Sequence, residues 1–260
     1  MATRRQELAG FLGIGAKSVL HENQADKETV ISANLHVVVI PGLGGNSPFC
    51  DGIAENVKGT ETFTKNGVMV HYLQYDSDIN RWPKKVKNLC SALSGPVMLV
   101  GWSAGSVVAQ VVVGEVLKQQ EKGQSQVTDL VIMNGVYADE TLPERVIMPD
   151  EDLAKNRKGK TYEAILKQKT TTLSDVCKKV DVSLFASDTD SPDLKKHAQA
   201  LEIATGKQSQ KLPPEKDRGH VSDPKDVFDG FLKPIIDKRL QVLKATERER
   251  RRFIIEVFSR

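Results

Sequence analysis

Val97-Met98-Leu99-Val100-Gly101-Trp102-Ser103-Ala104-Gly105-Ser106 is the stretch that decides how this chain folds. Its first four residues form an apolar run of strand length, and Ser106 to Gln120 follows as a long helical candidate, valine-rich enough to be mostly buried. Between the two stands a G-x-S-x-G pentapeptide. Taken alone, that pattern arises by chance in many proteins. Set between a buried strand and a helix, it predicts a turn tight enough to strain the serine backbone, with glycines two before and two after letting strand and helix approach closely. The Ser103 hydroxyl then stands at the carboxyl edge of a sheet, where open α/β proteins bind ligands, and the helix N-terminus behind it favours developing negative charge.

Working outward, four more apolar runs read as strands: Leu35 to Ile40, Val68 to Leu73, Leu130 to Met133, and Val180 to Phe185. They end at Pro41-Gly42, before Asp76, at Asn134-Gly135, and at Ala186-Ser187-Asp188. Largely apolar runs of this length suit strands covered on both faces, as in a parallel sheet. Helix starts punctuate the intervals: Ser47-Pro48, Ser191-Pro192-Asp193 and Ser222-Asp223-Pro224 each place a capping side chain close before proline. Strands alternating with helices imply right-handed crossovers and an open α/β sheet, predicted here as mostly parallel, of about six to eight strands, in a single domain over 1–260.

Two segments fall outside the alternation. Residues 137–180 are too long for a plain crossover, and their middle is basic, with Lys155, Arg157, Lys158, Lys160, Lys167 and Lys169 facing Glu163; they read as an inserted polar cap or lid. The tail, 241–260, carries Glu247-Arg248-Glu249-Arg250-Arg251-Arg252 and reads as a solvated helix laced with charge pairs, or else as a basic patch for acidic lipid or nucleic acid.

Composition narrows the function classes. With 39% apolar and 27% charged residues over 260 positions, the chain is an ordinary globular one rather than a disordered one. Aromatics at 5% argue against stacking platforms for single-stranded nucleic acid, and 37 basic against 34 acidic residues, net +3, demand no nucleic-acid partner. Cys50, Cys90 and Cys177 are odd in number and far apart, which fits free thiols in a reducing compartment and neither a disulfide framework nor a zinc site. Arg4-Arg5 before the short apolar stretch Leu8 to Ala16 is interrupted by Glu7 and followed by no A-x-A site, so export is not expected. No apolar run reaches the length of a membrane span. The expectation is a soluble, cytoplasmic protein with no metal and no organic cofactor.

Taken together, Pro41-Gly42-Leu43-Gly44-Gly45, Gly101-Trp102-Ser103-Ala104-Gly105, Asp188-Thr189-Asp190 and Gly219-His220 resemble the α/β-hydrolase superfamily, over about Leu35 to Leu232. The resemblance implies an eight-stranded sheet or a trimmed version of it, a Ser-His-acid triad, and hydrolysis of an ester, thioester or amide. The family's first two strands are unclear here, since residues 1–34 hold at most one weak strand, Thr29 to Ser32, which leaves room for a shortened sheet.

The same resemblance distributes the roles. Ser103 would be the nucleophile, with the backbone N–H of Ala104 as one oxyanion donor and that of Leu43 as the other. Many relatives have His-Gly where this chain has Pro41-Gly42; the glycine, and with it access to the backbone, is retained. Among five histidines, His36 and His71 fall in strand runs and read as core, and His21 lies in a polar stretch. His197 and His220 follow both the serine and the acid loop, as the chain order Ser, acid, His requires, and His220 alone of these has a loop of its own to carry it over the sheet edge. For the acid, Asp190 stands first, Asp188 second and Asp139 third; either of the first two could instead serve the turn. The expected function is hydrolysis of a carboxylic ester or thioester, with a small or medium acyl group, through an acyl-enzyme. A catalytically silent fold used for binding, and an acyltransferase with the same triad, remain as alternatives.

Overall fold

The computed structural model describes residues 31–42, 48–73, 81–120, 126–135, 172–187, 192–212 and 223–258. The chain runs β1 (Ile31–Ser32), β2 (Leu35–Ile40), α1 (Pro48–Gly59), α2 (Glu61–Lys65), β3 (Val68–Tyr72), α3 (Trp82–Ala92), β4 (Leu93–Ser94), β5 (Pro96–Trp102) and α4 (Ala104–Gln120). It continues through β6 (Gln126–Met133), α5 (Leu173–Cys177), β7 (Asp181–Ser187), α6 (Pro192–Thr205), β8 (Gln210–Leu212) and α7 (Pro224–Val227). A π-helical turn (Phe228–Leu232) then leads into α8 (Lys233–Phe258).

Six strands form one sheet in the order β3-β2-β5-β6-β7-β8, parallel at every pairing. This meets the expectation of a mostly parallel sheet flanked by helices, at the short end of the predicted strand number among the described residues. β1 and β4 make a separate two-stranded parallel clip, Ile31 against Leu93 and Ser32 against Ser94.

Alternation along the strands feeds two cores. On one face Val38, Ile40, Val97, Leu99, Leu130, Ile132, Val182 and Leu184 meet α3, α4, α5 and α6. On the other, Leu35, Val37, Val39, Met98, Val100, Val131, Met133 and Phe185 meet α1, α2, the π turn and the first half of α8. Both side-chain sets of each central strand are therefore buried, which is why those strands read as unbroken apolar runs. Helix α4 is buried on all sides over its first turns, from Ala104 through Val113, as its valines require.

The candidate lid, 137–180, lies outside the described residues up to 171. Its last part is α5, capped by the Thr172 side chain, with Leu173 and Val176 in the first core. At the other end of the chain, Asp223 caps α7, accepting from the N–H groups of Lys225 and Asp226, and Pro224 follows as the first helical residue.

A partly buried charge cluster, with Asp129 buried and Asp181 exposed, anchors α8 to the amino ends of the strands. Asp129 of β6 and Asp181 of β7 are neighbours in register. Arg239 of α8 reaches Asp129 through Nε at 2.8 Å and through its second terminal nitrogen at 2.9 Å, and it reaches Asp181 at 2.5 Å. Two like charges side by side on adjacent strands would repel; the guanidinium between them removes that cost. Burial pushes the Asp129 carboxyl above its usual range, against the pull of its bonds from Arg239 and Thr128.

Candidate active site

The sheet reverses its direction of growth between β2 and β5. The chain goes from β2 outward to β3, returns to lay β5 on the other side of β2, and then adds β6, β7 and β8 in turn. In open α/β sheets the crevice beyond the carboxyl ends of the strands at such a reversal is where ligands bind. Here Ile40 pairs with Gly101, so the two ends bordering that crevice are Pro41-Gly42 and Trp102-Ser103.

Ser103 is the one residue between β5 and α4, and its φ is 50°, in the left-handed region that non-glycine residues seldom enter. Hydrogen bonds hold it there. Its N–H donates to the Met133 carbonyl at 3.0 Å, and its own carbonyl accepts from the Ser106 N–H at 3.0 Å and from Ser106 Oγ at 2.6 Å. Backbone crowding explains the flanking glycines. A Cβ on Gly101 would lie 2.7 Å from Ser106 Cα and 2.8 Å from the Gly105 carbonyl oxygen, and one on Gly105 would collide with the carbonyl oxygens of Ile40 and Pro41. Strand and helix therefore meet at a distance that a side chain at either place would forbid. A Cβ on Gly42 would come within 3.0 Å of Ser103 Cβ, so the end of β2 lies directly against the serine.

Ala104 opens α4 and is buried. The first N–H groups of a helix have no partner within it, and together with the helix dipole they make this end favourable to negative charge. Ser103 itself is half-buried beside buried Trp102.

Of the five histidines, three are placed in the interior. His36 and His71 sit on adjacent strands with Nδ1 of the first 3.0 Å from Nε2 of the second. His36 Nε2 is 3.3 Å from the Ser94 carbonyl, which can only accept; His36 therefore carries its proton on Nε2, and His71 Nε2 donates to His36 Nδ1. That leaves His71 Nδ1 buried with no hydrogen-bond partner. Burial, and then the nearby His36, lower the His71 pKa to about 4. His197 is buried in α6. Both strand histidines are core residues, as read from the sequence. Leu43, Asp139, Asp188, Asp190, His21 and His220 lie outside the described residues.

In the sequence Asn134 reads only as the end of a strand run. In the structure it follows β6 with φ 43°, and its Oδ1 accepts from the Ser187 N–H at 2.7 Å. An Asn-Gly pair closing an apolar run is the available signal, since asparagine tolerates this backbone conformation better than most residues. Cys50 and Cys90 are buried free thiols, and Cys177 is a half-buried one. Among the described residues no three His, Cys, Asp or Glu side chains group to hold a metal, and no helix is long and apolar enough to cross a membrane.

No family model matches the chain, and no curated protein matches it by sequence. Solved structures do. Est1E from Butyrivibrio proteoclasticus superposes with a TM-score of 0.53 at 11% identity, covering 81% of this chain and 89% of its own. Human thioesterase 2 gives 0.48 at 16% identity, covering 81% and 98%. The type II thioesterase BorB from the borrelidin biosynthetic cluster gives 0.42 at 14%, covering 80% and 91%. The chain has the α/β-hydrolase fold, on the likeness to Est1E and on its own strand order.

Proposed function

We propose that this protein is a serine hydrolase that cleaves a carboxylic ester or thioester through an acyl-enzyme. The observation that carries the reading is Ser103 held at φ 50° between β5 and α4, at the point where the sheet reverses. Such a bend lifts a hydroxyl clear of the strand and sets it over the N–H groups of a helix start. Est1E supports the reading at the level of fold.

In this reading Ser103 Oγ attacks the acyl carbonyl while His220 removes its proton, and Asp190 holds the imidazole in the tautomer that can accept it. The N–H groups of Ala104 and Leu43 receive the oxyanion. Collapse breaks the bond to the alcohol or thiol, which leaves with the proton from His220. Water, deprotonated by the same imidazole, then attacks the acyl-enzyme and returns Ser103 with release of the carboxylic acid. Burial of His36, His71 and His197 supports assigning the base to His220. The substrate is a small-molecule ester or thioester with a small or medium acyl group, acted on without metal or organic cofactor by a cytoplasmic enzyme.

A fluorophosphonate probe tests the core of this. The folded wild type is expected to label, and Ser103→Ala and His220→Ala are expected to abolish labelling. Asp190→Asn is expected to slow it by up to about 10⁴-fold, the effect of losing the acid of such a triad; the same loss in Asp188→Asn instead would reassign the acid. A folded wild type that fails to label would mean the fold serves binding rather than catalysis. A panel of esters and thioesters of graded acyl length would then define the substrate.

A further inference from the structure

β5 and β6 end alike. Each is followed at once by a non-glycine residue in the left-handed region, Ser103 with φ 50° and Asn134 with φ 43°, the two such residues among those described. The two bends are linked. The Ser103 N–H donates to the Met133 carbonyl at 3.0 Å, and the Asn134 N–H donates to the Phe185 carbonyl at 2.8 Å. Met133 pairs with Phe185 in register, so a regular parallel ladder would next carry the Ser187 N–H to the main-chain carbonyl of Asn134. At this bend the rung is made by the side chain instead: the Ser187 N–H donates to Asn134 Oδ1 at 2.7 Å, with both residues buried.

Ser187 is the last residue of β7, and Asp188-Thr189-Asp190 follow it directly. The side-chain rung therefore fixes where the chain leaves the sheet on its way to the carboxylates of the proposed triad. It ties that point to the strand whose end also holds the Ser103 N–H. The residue type fits the task, because few others combine tolerance of a left-handed backbone with a carbonyl oxygen two bonds beyond Cβ. We infer that Asn134 is a positioning residue: it replaces a missing main-chain rung and so sets the root of the acid-bearing loop relative to the serine. The inference rests on the triad reading above, and specifically on an acid drawn from the loop after β7.

The test compares Asn134→Gly, which keeps the backbone conformation but removes the acceptor, with Asn134→Asp, which keeps both. The readouts are the second-order rate of fluorophosphonate labelling at Ser103 across pH 5 to 9 and the midpoint of urea unfolding. Asn134→Gly is expected to label about 10- to 100-fold more slowly, the scale of a misplacement of about 1 Å in a catalytic group, with the midpoint of its pH profile displaced. Asn134→Asp is expected to recover most of the rate. Should the glycine variant not fold, Asn134→Ser takes its place with the same expectation, since its oxygen falls short of the Ser187 N–H. A folded Asn134→Gly or Asn134→Ser variant that labels at the wild-type rate with an unchanged pH profile overturns the inference and leaves the triad standing. So does an Asn134→Asp variant that loses as much rate as the glycine variant. A wild type that does not label overturns the triad itself, and this inference with it.

Discussion

Gly105 has no room for a side chain, because the carbonyl oxygens of Ile40 and Pro41 occupy the place where a Cβ would go. Those atoms belong to the backbone of a central strand and its exit, and cannot rotate away. Gly105→Ala therefore has to push the start of α4 off β2, and is expected to destabilise the protein by about 1–3 kcal/mol, the usual cost of overpacking. Gly59→Ala, at a position where nothing lies within 4 Å, is the control and should leave the unfolding free energy within about 0.5 kcal/mol of wild type. The need for glycine on either side of Ser103 is legible in the sequence, because the turn's sterics depend on residue type and spacing alone. The role proposed for Asn134 is not, because it depends on Met133 lying opposite Phe185, a register that only the assembled sheet defines.

Along α8 the same residue type serves opposite ends. Arg239 is nearly buried between Asp129 and Asp181, whereas Arg250 and Arg252, further along the helix, are exposed. Removing the first strands a desolvated carboxylate, so Arg239→Met is expected to cost about 3–5 kcal/mol. Adding Asp129→Asn should restore at least half of that loss. Arg250→Ala and Arg252→Ala should each stay within about 0.5 kcal/mol, and urea titrations with unchanged slope would measure all four variants. This cluster also explains where strand reading falls short. β6 begins at Gln126 rather than Leu130, because Thr128 and Asp129 look like loop until the arginine that satisfies them is in place. β8 is invisible to periodicity: Gln210-Lys211-Leu212 is a three-residue edge strand with two exposed positions. The strand β2, buried on both faces, has in the structure the bounds that its sequence predicts.

For the molecule as a whole, acid is the condition to which the buried histidine pair makes it sensitive. The His71 pKa falls from 6.5 to about 4 on folding, so between those pH values the unfolded chain binds the extra proton and the folded one does not. The stability that neutral His71 permits is complete above about pH 6.5. It declines as pH falls, by up to about 3 kcal/mol once pH 4 is passed, because each tenfold loss of proton affinity on folding is worth about 1.4 kcal/mol. Asp129, whose pKa is raised, acts in the opposite sense near its own titration, so the comparison that isolates the histidine is between wild type and His71→Gln. That variant keeps a donor for His36 and cannot titrate; its unfolding free energy should fall less steeply from pH 6.5 to 4. The all-parallel sheet has a consequence at a different time in the protein's life. β2 can pair with β3 once both are made, yet its other edge has no partner strand until β5 is made, since Ile40 pairs with Gly101 some 61 residues later. At about 5–20 residues per second, a ribosome leaves that row of backbone N–H and C=O groups without its partner strand for roughly 3–12 s in every round of translation. The nascent chain is thus a ready client for a holdase chaperone over that interval.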